Sequence, residues 1–270
     1  MTHVSFMANR AMRKPKEPAM SVLNRPAVLL LAALAPLGAA LAANPGGFTL
    51  EFPIAACDFT AYGGNAFFNL KANRQLYLSN KKCKECVAED GLVELWITML
   101  PETRVIRFPY QGKVRTVRAR VMEEFETEDG ELEEVSRNFI ADCNPMHDVY
   151  YFGEDVFDGD GKPLPDAWLS GRDGARPGIL MPDRAYLLGS RYFQEFAPNA
   201  KDRGEHTSMG FEVEVPAGVF RNCVEVTETT PLEPGEESFK TYCPGVGLVR
   251  DDDLELIAVH ENAQSPSAKD

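Results

Sequence analysis

Residues 114–141 read VRTVRARVMEEFETEDGELEEVSRNFIA, and this stretch decides the fold class. Val117, Ala119, Val121 and Phe125 fall two or four positions apart, so on an extended chain they share one face, with Arg118, Arg120 and Glu124 on the other. Asp129-Gly130 is a tight-turn signal, since both residues tolerate the positive φ of a two-residue hairpin loop. Leu132 to Ala141 can then return antiparallel. On this reading the acids from Glu123 to Glu134 form a solvated hairpin tip.

The same pattern recurs outward from it. MGFEVEVPAGVFRNCVEVTETT, residues 209–230, sets Phe211, Val213 and Val215 against Glu212 and Glu214, turns at Pro216-Ala217-Gly218, and resumes with Phe220, Val224 and Val226. PLEPGEE supplies the next turn, and SFKTYC and LVRDDDLELIAVH follow as strands. Residues 162–198 instead carry Pro163, Pro165, Gly171, Gly174, Pro177, Gly178, Pro182 and Gly189, with Trp168, Tyr186, Tyr192 and Phe193 among them, and read as irregular loops pinned by aromatics. The expected fold is all-β: one strongly curved, mostly antiparallel sheet domain with long aromatic-pinned loops, one face enclosing its own core or a pocket. It spans residues 64–260, after an N-terminal extension at 43–63 and before a flexible tail at 261–270.

Arg10, Arg13, Lys14, Lys16 and Arg25 precede the apolar run AVLLLAALAPLGAALAA, with small residues at Ala40 and Ala42. Residues 1–42 are therefore read as a secretory signal cleaved after Ala42, with Met20 as an alternative start. The run is 17 residues long and broken by Pro36 and Gly38, which is short for a membrane span, so no transmembrane segment is expected in the mature chain. Cleavage would remove five basic and one acidic residue, leaving 23 basic against 40 acidic and a net charge near −17. Such a chain is repelled by nucleic acid and anionic headgroups, while a small molecule, a cation or a protein partner is compatible with it. All six cysteines lie in the exported part, an even number that suits disulfides in the periplasm or outside the cell. IAAC at residues 54–57 has the composition of a lipoprotein cleavage site, but it begins 11 residues beyond the apolar run, so lipid anchoring at Cys57 is not expected.

The ordered set GNAFFNLKANRQLYL, LPETRVI, ARVMEEFETEDGELEEVSRNFIA, DVYYFGEDV, GARPGILMP, YFQEFAP, VPAGVFRNCVEVTETTPLEPG and YCPGVGLV resembles a family of exported, β-rich bacterial proteins of uncharacterised function, over roughly Gly64 to Arg250. The resemblance implies one exported β-rich domain and carries no catalytic residue with it. FNLKAN stands where the family pattern is closer to F-P-L-x-P-G, Cys243 stands where alanine is typical, and Cys143 and the CKEC pair look like additions. A function that rests on the cysteines would thus be special to this protein.

YYFGEDVFDGDG, residues 150–161, holds the densest candidates. An EF-hand loop starting at Asp158 would place Lys162, Pro163 and Leu169 at positions that need a ligand, a glycine and an acid, so Asp158 to Gly161 is read as a turn. Glu154 and Asp155 follow three aromatics on a strand, so one of them points inward, where it needs Arg184, Arg191 or Arg203, a backbone donor or a metal. His147, His206 and His260 are isolated, and neither HExxH, G-x-S-x-G nor a P-loop occurs. Cys83-Lys84-Glu85-Cys86 has the spacing of a redox dithiol or half a zinc site. Its flanks QLYLSNKK and VAEDGLVELWI look strand-like, which favours a disulfide that closes a hairpin or a tether to Cys57. Cys223 and Cys243 have their midpoint inside PLEPGEE and are expected to bond across that hairpin.

The functional expectation is a non-catalytic scaffold or binding module with no cofactor, its pocket lined by Tyr151, Trp168, Tyr192 and Phe193. One alternative is a hydrolase using Glu154, Asp155, Asp202 or Glu205 with an arginine, which for glycoside chemistry needs two carboxylates about 5–10 Å apart across a cleft. Another is a protein that binds or delivers calcium or a transition metal.

Overall fold

The computed structural model describes residues 47–183 and 188–269; the segment expected to be a secretory signal, Arg184 and Tyr186 lie outside them. The chain runs through β1 (Asp58–Thr60), β2 (Gln75–Ser79), α1 (Lys84–Asp90), β3 (Val93–Tyr110), β4 (Lys113–Glu128), β5 (Glu131–Asn144), β6 (Asp148–Asp158), β7 (Trp168–Leu169) and β8 (Arg176–Met181). It continues with β9 (Arg191–Phe193), β10 (Glu195–Phe196), β11 (Arg203–Val215), β12 (Gly218–Thr229), β13 (Glu237–Cys243), β14 (Gly247–Asp251) and β15 (Leu254–His260). The fifteen strands described form one sheet, ordered β10-β8-β6-β5-β4-β3-β2-β15-β14-β13-β12-β11-β9 along its main path. Two meanders meet at β2, which pairs with both β3 and β15.

The ends of that order also meet. β9 pairs with β11 and β10 with β8, and only Gln194 separates β9 from β10, so residues 191–196 stitch the two edges into a near-barrel. Gly178 on β8 lets this seam pass: a Cβ there would lie 2.3 Å from the Phe193 carbonyl oxygen and 2.4 Å from that of Gln194. Gly178→Ala is expected to lower stability by roughly 1–3 kcal/mol through overpacking against the rigid backbone. Urea melts of the purified variant check this, and an unchanged midpoint would count against so close a seam.

Asp129 (φ 53°) and Gly130 (φ 86°) turn β4 into β5, with Glu128 opposite Glu131. Closure changes what the alternation in this hairpin means. Val117, Ala119 and Val121 do share a face, but it is the outer one, where Phe52, Ile54 and Phe59 of the N-terminal segment cover it with Phe139 and Phe152. The opposite face, expected to be wet, lines the barrel: Met122 and Ile140 join Leu78, Leu95, Tyr151 and Leu256 in the inner core, and Arg120 and Glu124 are buried with them. The acids from Glu123 onward are therefore not simply a solvated tip. Glu123 is buried on the outer face, paired with Arg137 at 2.9 Å and capped by the hydroxyls of Ser265 and Ser267. The C-terminal segment, read as a frayed tail, thus packs against β4, and Ala263 N–H donates to the Asn73 carbonyl at 2.8 Å.

Three disulfides close. Cys57–Cys143 fixes the N-terminal segment to β5, and Cys223–Cys243 joins directly opposed residues, one step beyond the Val224–Tyr242 pair. Loop-closure entropy assigns these bonds about 4–5 and about 3 kcal/mol, against about 2 for a bond whose partners are three residues apart. That third bond is Cys83–Cys86. The segment after it is not strand: three extended steps would span about 10 Å, while these Cα atoms lie 5.2 Å apart, so the chain coils into α1 until Gly91 (φ 79°) ends it.

Candidate functional site

The site begins with a bulge. Ile140 faces Tyr151 and Asn138 faces Glu154, so β6 spends one residue more than β5 between these pairs, at Phe152-Gly153. Gly153 takes φ 143°, and a Cβ on it would sit 2.5 Å from the Trp168 carbonyl oxygen. The extra residue turns both Tyr151 and Glu154 inward and leaves Phe152 in the outer core. The Tyr151 hydroxyl accordingly lies 2.7 Å from Glu154 Oε2 and in contact with Asn138 Oδ1. Asn138 in turn donates to Glu124 Oε2 at 3.3 Å, an oxygen that also accepts from Ser136 at 3.2 Å.

Glu154 is one member of a buried acidic layer. The seam supplies Glu195 and, through the backbone N–H groups of Gln194 and Glu195 bonded to its carbonyl, holds Asp202. β12 adds Glu228, whose Oε1 accepts from Gln194 Nε2 at 2.6 Å. Lys240 of β13 brings a cation, 2.8 Å from Asp251 and 3.8 Å from Glu228. Burial pushes Glu124 and Glu228 up to about 7, despite the opposing charge of Lys240. Burial, then the neighbouring Asp202, holds Glu195 well above the carboxylate range, and burial with Glu228 and Glu154 does the same to Asp202. Burial disfavours the Lys240 charge, but Asp251 and Glu228 outweigh it and keep the ammonium protonated.

The four acids singled out by sequence separate into pairs. Glu154 and Asp202 face this interior, whereas Asp155 lies outside on Arg104 at 2.5 Å and Glu205 on Arg191 at 2.9 Å. The inward acid meets Tyr151, not Arg191 or Arg203; the Arg203 guanidinium instead lies 4.5 Å over the Phe48 ring. Asp158 makes the expected turn, accepting from the N–H groups of Asp160 and Lys162. Of the four aromatics, Trp168 meets Tyr151 edge-on at 5.1 Å, while Phe193 packs on Phe48 and Tyr192 bonds His206 Nε2 at 2.9 Å.

Trp168, Glu154 and Asp155 line a cleft of about 420 Å³. Arg172, Asp173 and Asn199 are its other polar walls. Asn199 Nδ2 donates to the carbonyls of Pro165, Asp166 and Ala167 at 2.9–3.3 Å, which holds the two wall loops together. A second cavity, on the apolar side of the interior, is lined by Phe68, Met99, Met122, Tyr242 and Leu248 with Glu124 and Lys240, and measures about 40 Å³.

No family model, curated protein or solved structure matches the chain. Among the described residues no group of three or more His, Cys, Asp or Glu side chains is arranged to hold a metal ion, and no helix is long and apolar enough to cross a membrane.

Proposed function

We propose that the protein is an exported, non-catalytic binding module whose ligand site is the cleft beside Trp168. Size carries this reading: about 420 Å³ lies within the roughly 300–1,000 Å³ of small-molecule sites. The apolar cavity, at about 40 Å³, has room for only a few waters. The lining favours a small, polar, hydrogen-bonding ligand, with Asp173 answering its donors and Arg172 its acceptors. Export rests on the leader and on the resemblance to exported β-rich proteins. The disposition of the acids supports binding over hydrolysis, because Arg104 occupies Asp155, and Glu195 and Asp202 are fully buried beneath the wall.

A panel of monosaccharides and small amines, titrated against Trp fluorescence, tests the reading. A saturable response is expected that disappears in Trp168→Phe and weakens at least tenfold in Arg172→Ala or Asp173→Asn. A response that survives both wall substitutions at full affinity would move the site elsewhere.

A further inference from the structure

We propose that Cys83–Cys86 is a thiol–disulfide exchange site, open to external thiols under conditions in which the other two disulfides stay closed. The three bonds differ in access. Cys57, Cys143, Cys223 and Cys243 are at most 5% exposed within the sheet packing, whereas Cys83 and Cys86 are half-buried on the surface turn between β2 and β3. They differ also in what they hold. Cys83–Cys86 encloses only Lys84 and Glu85, so its closure removes the least freedom from the unfolded chain.

The turn does not depend on the bond. Asn80 Nδ2 donates to the Gly91 carbonyl at 2.9 Å and Asn80 Oδ1 accepts from Val93 N–H at 3.0 Å, while Ser79 Oγ donates to the Val93 carbonyl at 2.8 Å. These bonds clamp both ends of the Cys83–Cys86 excursion to β2 and β3, so opening the disulfide leaves the sheet intact. The local charge balance suits a thiolate as well: Lys82 and Lys84 adjoin Cys83 in sequence against Glu85, all three exposed, and an excess of cations favours the ionised sulfur. Cys86 N–H points at Cys83 Sγ at 3.1 Å, which makes Cys83 the better-stabilised thiolate of the two.

The step balances with two external thiols. One attacks Cys83 Sγ as its thiolate, forming a mixed disulfide there as the electron pair of the broken bond leaves on Cys86 Sγ. A second displaces Cys83, so two thiols become one disulfide while the pair takes up two electrons and two protons. In the reverse direction Cys83 is the attacking thiolate and Cys86 resolves the intermediate.

The full oxidised chain, equilibrated with graded reduced glutathione, quenched with iodoacetamide and peptide-mapped, provides the test. Cys83 and Cys86 are expected to be labelled at a thiol concentration at least tenfold below that needed for the other four, with circular dichroism unchanged. Opening of all three bonds together, or of this bond last, overturns the proposal. Single substitutions separate the roles: Cys86→Ser, which frees Cys83, should react with an aromatic disulfide at least tenfold faster than Cys83→Ser. Equal rates would overturn the assignment of Cys83 as the attacking sulfur.

Discussion

Lys240→Met is expected to be the most damaging single substitution in the barrel interior, at a cost of roughly 3–5 kcal/mol. Lys240 is 5% exposed and sits opposite Asp251 and Val226, with its ammonium 2.8 Å from Asp251 Oδ2. Methionine matches its stem, so packing changes little. What is lost is the positive charge beside Asp251 and Glu228, and buried carboxylates left without it must either stay charged in a poor solvent or take up protons. The second route makes the damage depend on pH. Thermal melts at pH 8 should show a fall of roughly 10 °C for a domain of this size, shrinking towards pH 5, where protons replace the lost cation. Asp251→Asn in the same chain should recover part of the loss at pH 8. Were Lys240→Met as stable as the parent at pH 8, the acidic layer would have to be compensated by something other than Lys240.

The sequence made the strands legible and the barrel interior much less so, for a definite physical reason. Asp129-Gly130, Pro216 to Gly218 and the centring of PLEPGEE between Cys223 and Cys243 are local signals, and local geometry obeyed them. Alternation, by contrast, states only that two faces differ. In β4 the polar face would be wet in an open sheet, yet here residues 191–196 join the two edges and enclose Glu124. That seam lies in a breaker-rich stretch with no strand periodicity. Glu154 turned inward through a bulge that strict alternation does not contain, although Gly153 between two aromatics and two acids was the available hint. Glu195, Glu228 and Lys240 carried no signal of their own: each looks like an ordinary solvent-facing residue of a short strand until its neighbours across the barrel are known. Helix α1 leaves no trace in the pattern because a seven-residue element has too few turns for helical periodicity to show.

The same acidic layer predicts that the protein is most stable in mild acid and loses stability as pH rises. Glu124 and Glu228 titrate near 4.5 when unfolded and near 7 when folded, so the native state holds protons that the unfolded chain has released. Their contribution is complete below about pH 4.5 and disappears as pH climbs through 7. At about 1.4 kcal/mol per pKa unit this amounts to about 3 kcal/mol for each group. Glu134, pushed up to about 9 by burial and then by neighbouring acids, extends the decline further into base. His206 opposes it. Burial lowers its imidazole from 6.5 to about 4, so its contribution is present above 6.5 and is lost as pH falls through 4. Between pH 4.5 and 6.5 one histidine works against several carboxyls, and the net slope still favours acid. Urea unfolding at pH 5, 7 and 9 should therefore give midpoints that fall in that order. Glu124→Gln or Glu228→Gln, each keeping the shape but not the charge, should each flatten the fall by about 3 kcal/mol. A midpoint that rises from pH 5 to pH 9, or glutamine variants with the parent's slope, would mean that these carboxyls ionise inside the barrel without penalty.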